Sequence, residues 1–372
     1  MIYLDYNATT PLADEVVAAM EPYLRQAFGN ASSLHWAGRP ARAAIDTARE
    51  QVAALLGCQP SEVVFTSGGT EANNYALKGL FFARLAKQLP THIITSQIEH
   101  PAILEPCRFL ESLGAEVTRL PVDRFGLVDP AAVRAALRPH TALVSIMQAN
   151  NEVGTIQPLA EIAAIAHEHG ALVHTDAAQS VGKISTRVAE LGVDLLTIAG
   201  HKLYAPKGVG AIYVRAGITL APFLHGAGHE QGRRAGTENI LEIVGLGAAC
   251  ELAQSWLDRP ELRELRDYFW NALQTALGER VSLNGHPQRR LPNTLNCNFH
   301  GQIGSELLAK LPQLAASTGS ACHAGSHHLS PVLAAMGVSP TIGLGAIRFS
   351  LGRHTTRDVI DQTLEMLAAC VR

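Results

Sequence analysis

From about residue 60 to residue 215 the chain alternates between two hydrophobic rhythms. Short β-branched runs occur at EVVFT (62–66), HIITS (92–96), AEVTRL (115–120), ALVSIM (142–147), ALVHT (171–175), DLLTI (194–198) and VGAIYV (209–214). Several are apolar on both faces. A strand of that kind must be covered on both faces, so the runs predict a buried, mostly parallel sheet. Helical periodicity fills the spaces between them. The pattern also predicts a helix over 40–56, where Ala44, Ile45, Ala48, Val52, Leu55 and Leu56 share one stripe. Arg42 and Arg49 are then expected on the wet face of that helix. Strand–helix alternation of this length reads as an α/β layer.

The rhythm changes near residue 255. The run DRPELREL (258–265) reads as a charged hinge and a helix start, with Pro260 suited to a first turn. The remaining C-terminal stretch predicts an α+β unit: strand NTLNCNF (293–299), helix SELLAKL (305–311), a Gly/Ser-rich loop (317–326), strand AIRFSL (346–351) and a final helix from Thr355. A chain of 372 residues with 47% hydrophobic content can build more than one core. The net charge of −3 gives no electrostatic reason to expect nucleic acid or an anionic membrane as partner. No basic N-terminal region precedes an apolar segment, and no apolar run is long enough to span a bilayer. The six cysteines (58, 107, 250, 297, 322 and 370) form no CxxC pair, which suits a reducing cytoplasm better than a disulfide framework.

Three short motifs suggest chemistry. The run VVFTSGGTEANNYAL (63–77) is strand, Gly-Gly, Thr, helix. There, backbone N–H groups around Gly69, the hydroxyl of Thr70 and the helix start could hold a phosphate. Asp176 ends an apolar strand in HTDAAQS (174–180), and Gln179 stands three residues later. Lys202 lies just past the next strand in AGHKLYAPKGVGAIYV (199–214), with Lys207 as a weaker rival. Each motif alone has a plain reading: a strand–helix turn, a helix cap, a surface lysine. Together they describe a grip on pyridoxal 5'-phosphate (PLP). A carboxylate at the pyridine nitrogen makes the ring an electron sink, and a desolvated lysine can attach to its aldehyde.

A cysteine adds to this. Cys322 lies in STGSACHAGS (317–326), a small-residue loop, beside His323. The other five cysteines sit in apolar or helical contexts, Cys297 being the nearest rival. Cys322, His323, His327 and His328 also offer metal ligands, but no matching second pair is visible, so no metal is expected.

Ten blocks in order give the chain a resemblance. They are LDYNATTPL (4–12), FGNASSLH (28–35), SGGTEANN (67–74), EHPAIL (99–104), ANNEVGTIQP (149–158), HTDAAQSVGK (174–183), AGHKLYAPKGVGA (199–211), GRRAGTENI (232–240), TGSAC (318–322) and IRFSLGRHTT (347–356). The chain resembles the cysteine desulfurases of the NifS/IscS type, PLP enzymes of the class V aminotransferase fold. The resemblance implies fold type I: a large α/β domain (15–255) with a mostly parallel seven-stranded sheet, and a smaller α+β domain (1–14 and 256–372) carrying the cysteine loop.

It also implies roles. Lys202 would be the cofactor's attachment point, and His100 would stack on the ring and assist proton transfers. Asn151, Asp176 and Gln179 would hold the ring substituents. Gly69, Thr70 and His201 would bind the phosphate, joined by Thr237 from the partner subunit of a homodimer. Arg348 would pair the substrate carboxylate, helped by Asn30 and Asn151. Cys322 would accept sulfur from L-cysteine as a persulfide, leaving L-alanine, for delivery to an acceptor protein such as an iron–sulfur scaffold. Two departures bear on the substrate: Ala199 replaces the commoner Ser, and CHAGSHHLSP (322–331) replaces the commoner loop. Both are similar to selenocysteine lyases, which makes L-selenocysteine the alternative substrate. A plain aminotransferase with an idle Cys322, or a poorly active sulfur-delivery scaffold, are more distant readings.

Overall fold

The computed structural model describes residues 1–257, 259–319 and 328–371. In chain order its strands are β1 (Ile2–Tyr3), β2 (Val63–Thr66), β3 (His92–Ser96), β4 (Glu116–Leu120), β5 (Thr141–Ser145), β6 (Leu172–Asp176), β7 (Leu195–Ala199), β8 (Gly210–Val214), β9 (Val281–Asn284), β10 (Thr294–Phe299), β11 (Leu314–Ala315) and β12 (Ala346–Ser350). All seven strands expected over 62–214 are present to within two residues. They form one sheet in the order β2-β8-β7-β6-β5-β3-β4. Pairs among β3 to β7 are parallel, and only β8 runs against its neighbours.

The alternation of side chains along these strands divides the interior into two cores. Val63, Phe65, Val144, Val173, Leu196 and Ile198 face one side, under the helices Gly38–Leu56, Leu159–Glu168 and Ile240–Gln254. Val64, Ile93, Leu143, Leu195 and Ile212 face the other, under Gly69–Leu85 and Pro101–Glu111. Strand β4 is the exception, with partly exposed residues, because it lies at the sheet edge.

One expectation is overturned. Arg49 is not on a wet face but buried. Its Nη1 and Nη2 each lie 2.7 Å from a carboxylate oxygen of Glu230, and Nη1 also donates to the Val63 carbonyl at 2.9 Å. The counter-charge arrives from 181 residues away, where helix periodicity cannot see it. Arg42 remains half-exposed and pairs with Glu238.

The C-terminal part forms a second, antiparallel sheet in the order β12-β10-β9. The helices Glu261–Leu277 and Arg357–Val371 cover it. Its core gathers Phe269, Phe299, Phe349 and Leu367, and Leu4 from the N-terminal segment. Strand β9 escaped the hydrophobic pattern because Ser282 and Asn284 are polar. The Asn284 amide donates to the side-chain oxygens of Asn296 and Asn298, both at 2.8 Å. Strands β1 and β11 pair in parallel and are too short for any period to register. Among the described residues no helix is long and apolar enough to cross a membrane.

Candidate active site

Strands β3, β5, β6 and β7 are parallel, so their carboxyl ends share one edge of the sheet. Open α/β sheets place ligands at that edge. The segments leaving these strands carry His100, Asn151, Asp176 with Gln179, and Lys202. A cavity of about 320 Å³ opens there. It is lined by Gly69, Thr70, His100, Asn151, Asp176, Gln179, His201, Lys202 and Arg348, together with Asn7, Asn73 and Ala199. Nine expected site residues are thus brought together. Lys207, the rival lysine, is exposed and does not line the cavity.

Lys202 is the most telling of them. Its Nζ donates to the carbonyls of Asn7 at 2.6 Å and Ala8 at 2.7 Å. Burial, and then the positive charge of Arg348, push its pKa down to about 8, against the opposing pull of Asp5 and Asp176. Asp176 is buried; its Oδ2 accepts from the Asn73 amide at 2.7 Å and its Oδ1 from the Ala178 N–H at 2.9 Å. Gln179 donates to the Asn7 carbonyl at 3.1 Å and leaves its buried Oε1 without a partner. His100 caps the helix Pro101–Glu111, its Nδ1 accepting from the Ala102 N–H at 3.1 Å. That bond leaves the proton of the neutral ring on Nε2. Although the ring stands open to the cavity, the protein crowded around it pushes its pKa down.

The helix Gly69–Leu85, which also lines the cavity, begins after Gly68, whose φ of +151° only glycine adopts readily. Its free N–H groups and positive dipole end suit an anion. A Cβ at Gly69 would come within 3.1 Å of the Ala199 methyl, so a side chain there would crowd the cradle. His201 lines the same cavity, with its pKa held near 4 by burial and by Lys202, Lys207 and Lys183. It therefore serves as a neutral hydrogen-bonding group at neutral pH.

Arg348 enters from the second sheet, on β12. It is buried, with Nη1 donating to the Asn151 carbonyl at 2.9 Å, Nη2 2.8 Å from Asp5, and Nε without an acceptor. Asn30 and Thr237 do not join the cavity. Both are exposed; Asn30 accepts from the Ser32 N–H, and Thr237 lines a separate hollow with Thr66 and Arg234. Cys322, with His323 and His327, lies outside the described residues.

Sequence reasoning missed Asn7, Asn73 and Glu99. Asn73 stands one helical turn after Gly69, so the i, i+4 rule could have aimed it at the same site. Asn7 is a junction. Its amide donates to Thr294 Oγ1 at 2.9 Å and the Asn151 carbonyl at 3.2 Å, while its own carbonyl holds Lys202 and Gln179. Glu99 lies beneath His100, bonded to Ser96 Oγ at 2.6 Å, and burial pushes its pKa up to about 8. No local signal marks Asn7 or Glu99.

The arrangement fits PLP. The cavity is lined by a buried carboxylate, Asp176, and by an anion cradle at the start of the helix Gly69–Leu85. A lysine poised to lose its proton lines the same space, as do Gln179 and Asn73 with their unpaired Oε1 and Oδ1.

Comparison with known proteins agrees. Residues 2–363 match the family described as "Aminotransferase class-V". The chain is 50% identical over 370 residues to a protein named cysteine desulfurase IscS from Dictyoglomus turgidum, covering 98% of this chain and 93% of that one. It is 46% identical to a cysteine desulfurase IscS from Methanosarcina thermophila, over 100% and 92% of the two chains. Among solved structures, a NifS-like protein superposes with a TM-score of 0.92 at 37% identity, covering 99% of this chain and 98% of that one. SspA in complex with cysteine does so with a TM-score of 0.84 at 38% identity, covering 96% and 100%. The chain belongs to the class V aminotransferase family, beside the cysteine desulfurases of the IscS and NifS-like type.

Proposed function

We propose that the chain is a PLP-dependent cysteine desulfurase that converts L-cysteine to L-alanine and receives the sulfur on Cys322. The observation that carries the reading is the shared cavity of Lys202 and Asp176 under the helix start at Gly69. Bound there, PLP supplies an electron sink conjugated to the amino acid's nitrogen. The chain's own residues do the rest. Asp176 keeps a proton on the ring nitrogen, and Gln179 and Asn151 orient the ring. Gly69, Thr70 and His201 hold the phosphate. Arg348 receives the substrate carboxylate. Lys202, once free, takes the Cα proton, a task suited to a pKa of about 8. His100, protonated on Nε2, faces the same space and relays protons.

Cys322 accepts the sulfur. In the transfer the Cβ–S bond of the substrate breaks and an S–S bond forms, so cysteine and one thiol become alanine and one persulfide. Four of the other five cysteines support this choice. Cys107, Cys250 and Cys297 are buried, and burial pushes each thiol well up, as it does that of the half-buried Cys58.

Further parts of the reading go with it. The chain divides into a large unit (15–255) and a small one (1–14 and 256–372), a division supported by the separate cores, with Leu4 in the second. It works as a homodimer in which Thr237, exposed and away from its own cavity, completes the partner's phosphate site. It acts in the cytoplasm, where its free cysteines stay reduced, and passes sulfur to an acceptor protein. The relatives above are named for cysteine, which supports L-cysteine over L-selenocysteine even though Ala199 lines the cavity.

Borohydride reduction of the holoenzyme, with peptide mapping of the product, tests the cofactor's place. The adduct is expected on the peptide containing Lys202. An adduct on Lys207 or elsewhere contradicts the assignment.

A further inference from the structure

Behind the active site a second, smaller cavity of about 40 Å³ lies against Lys183, Tyr204, Trp256, Arg259 and Arg353. It is larger than the roughly 10–15 Å³ that one water needs. Three cations border it. Arg353 is stacked between two aromatic rings, with its Cζ 4.3 Å from the Tyr204 centroid and 5.0 Å from that of Trp256. Arg259 lies over the same Trp256 ring at 4.4 Å. Both terminal nitrogens of Arg353 are buried without any acceptor. Lys183 spends its Nζ on a single backbone carbonyl, that of Gln179, at 2.9 Å. None of the three forms an ion pair with any described residue. The nearest acidic lining residue, Glu261, is exposed.

Arg259 is exposed, but Lys183 and Arg353 are partly buried, where like charges repel and unpaired donors are costly. Cation–π contact relieves the Arg353 charge without supplying an acceptor to its N–H groups. Burial, Lys202 and Arg353 together push the Lys183 pKa down to about 7, as expected where a cation lacks a counter-ion.

We infer that this cavity is a binding site for a small oxyanion, held by Lys183 and, after a modest turn of its guanidinium, by Arg353. The site touches the catalytic machinery at two points. Lys183 is bonded to the backbone of Gln179, and Tyr204 stands two residues after Lys202. An anion here therefore stabilises the segment that orients both.

The test titrates the holoenzyme, whose cofactor already fills the phosphate cradle, with sodium phosphate or sodium acetate at constant ionic strength. A saturable rise in Tm of about 2 °C or more is expected well above the dissociation constant, and it should be lost in Lys183→Gln and Arg353→Gln. A rise with phosphate alone assigns inorganic phosphate, and a rise with both assigns carboxylates as well. In the unmutated protein, acetylation of Lys183 by acetic anhydride, read by peptide mass spectrometry, should fall several-fold with the anion present. This readout decides the matter if the variants fail to fold. No saturable rise, an undiminished rise in both variants, or unchanged Lys183 labelling would overturn the site.

Discussion

A lysine amine can attack an aldehyde or take a proton only after losing its own, and Lys202 is placed to do so. Its pKa of about 8 leaves roughly a tenth of it neutral at pH 7, against about one part in 3,000 for an ordinary lysine. The chain stripped of cofactor should therefore recapture PLP at a rate that climbs through pH 8 and then levels. Stopped-flow absorbance checks this, and a rate still climbing at pH 10 would refute the depressed pKa. Stability runs in the same direction with pH. The unfolded chain protonates this lysine near pH 10.5 and the folded chain only near 8. The contribution of Lys202 to stability is whole above 10.5, falls as pH falls to 8, and stays low below that.

At the scale of elements, the helix Pro101–Glu111 is capped by His100, the residue proposed to relay protons. His100→Ala should cost both roles: about 1 kcal/mol of cap and 10²-fold or more in turnover. His100→Asn restores a capping oxygen but no imidazole, so turnover alone should fall. Urea melts and kcat, measured side by side, separate the two. Equal loss of stability in both variants would show that His100 does not act as a cap. The strands were legible because β-branched runs leave a direct imprint, and the site motifs were legible because they sit at strand ends. The Arg49–Glu230 pair was not legible, since its partners meet only after folding. Breaking it by Arg49→Ala leaves a buried carboxylate unpaired and should destabilise by about 3–5 kcal/mol in a denaturant titration; a loss under 1 kcal/mol would mean that Glu230 finds water. Asn7, Asn73 and Glu99 were hidden for a related reason: each bonds a residue distant in sequence, Glu99 accepting from the Met147 N–H at 3.0 Å.

At the scale of the whole molecule, the site lies at a meeting of two sheets. The first supplies Asp176 and Lys202 from its strand ends, and the second supplies Arg348 from β12. The segment Asp5–Ala8 ties them, pairing Asp5 with Arg348 and offering the Asn7 and Ala8 carbonyls to Lys202. Neither sheet alone supplies both Lys202 and Arg348, so the proposed reaction draws on both. The most direct test incubates the purified holoenzyme with L-cysteine, without added reductant, and measures alanine together with the mass of the Cys322 peptide. One added sulfur on Cys322 is expected for the first equivalent of alanine formed, and neither product in Lys202→Ala. Alanine formed at the full rate with no sulfur on Cys322 would contradict the persulfide route.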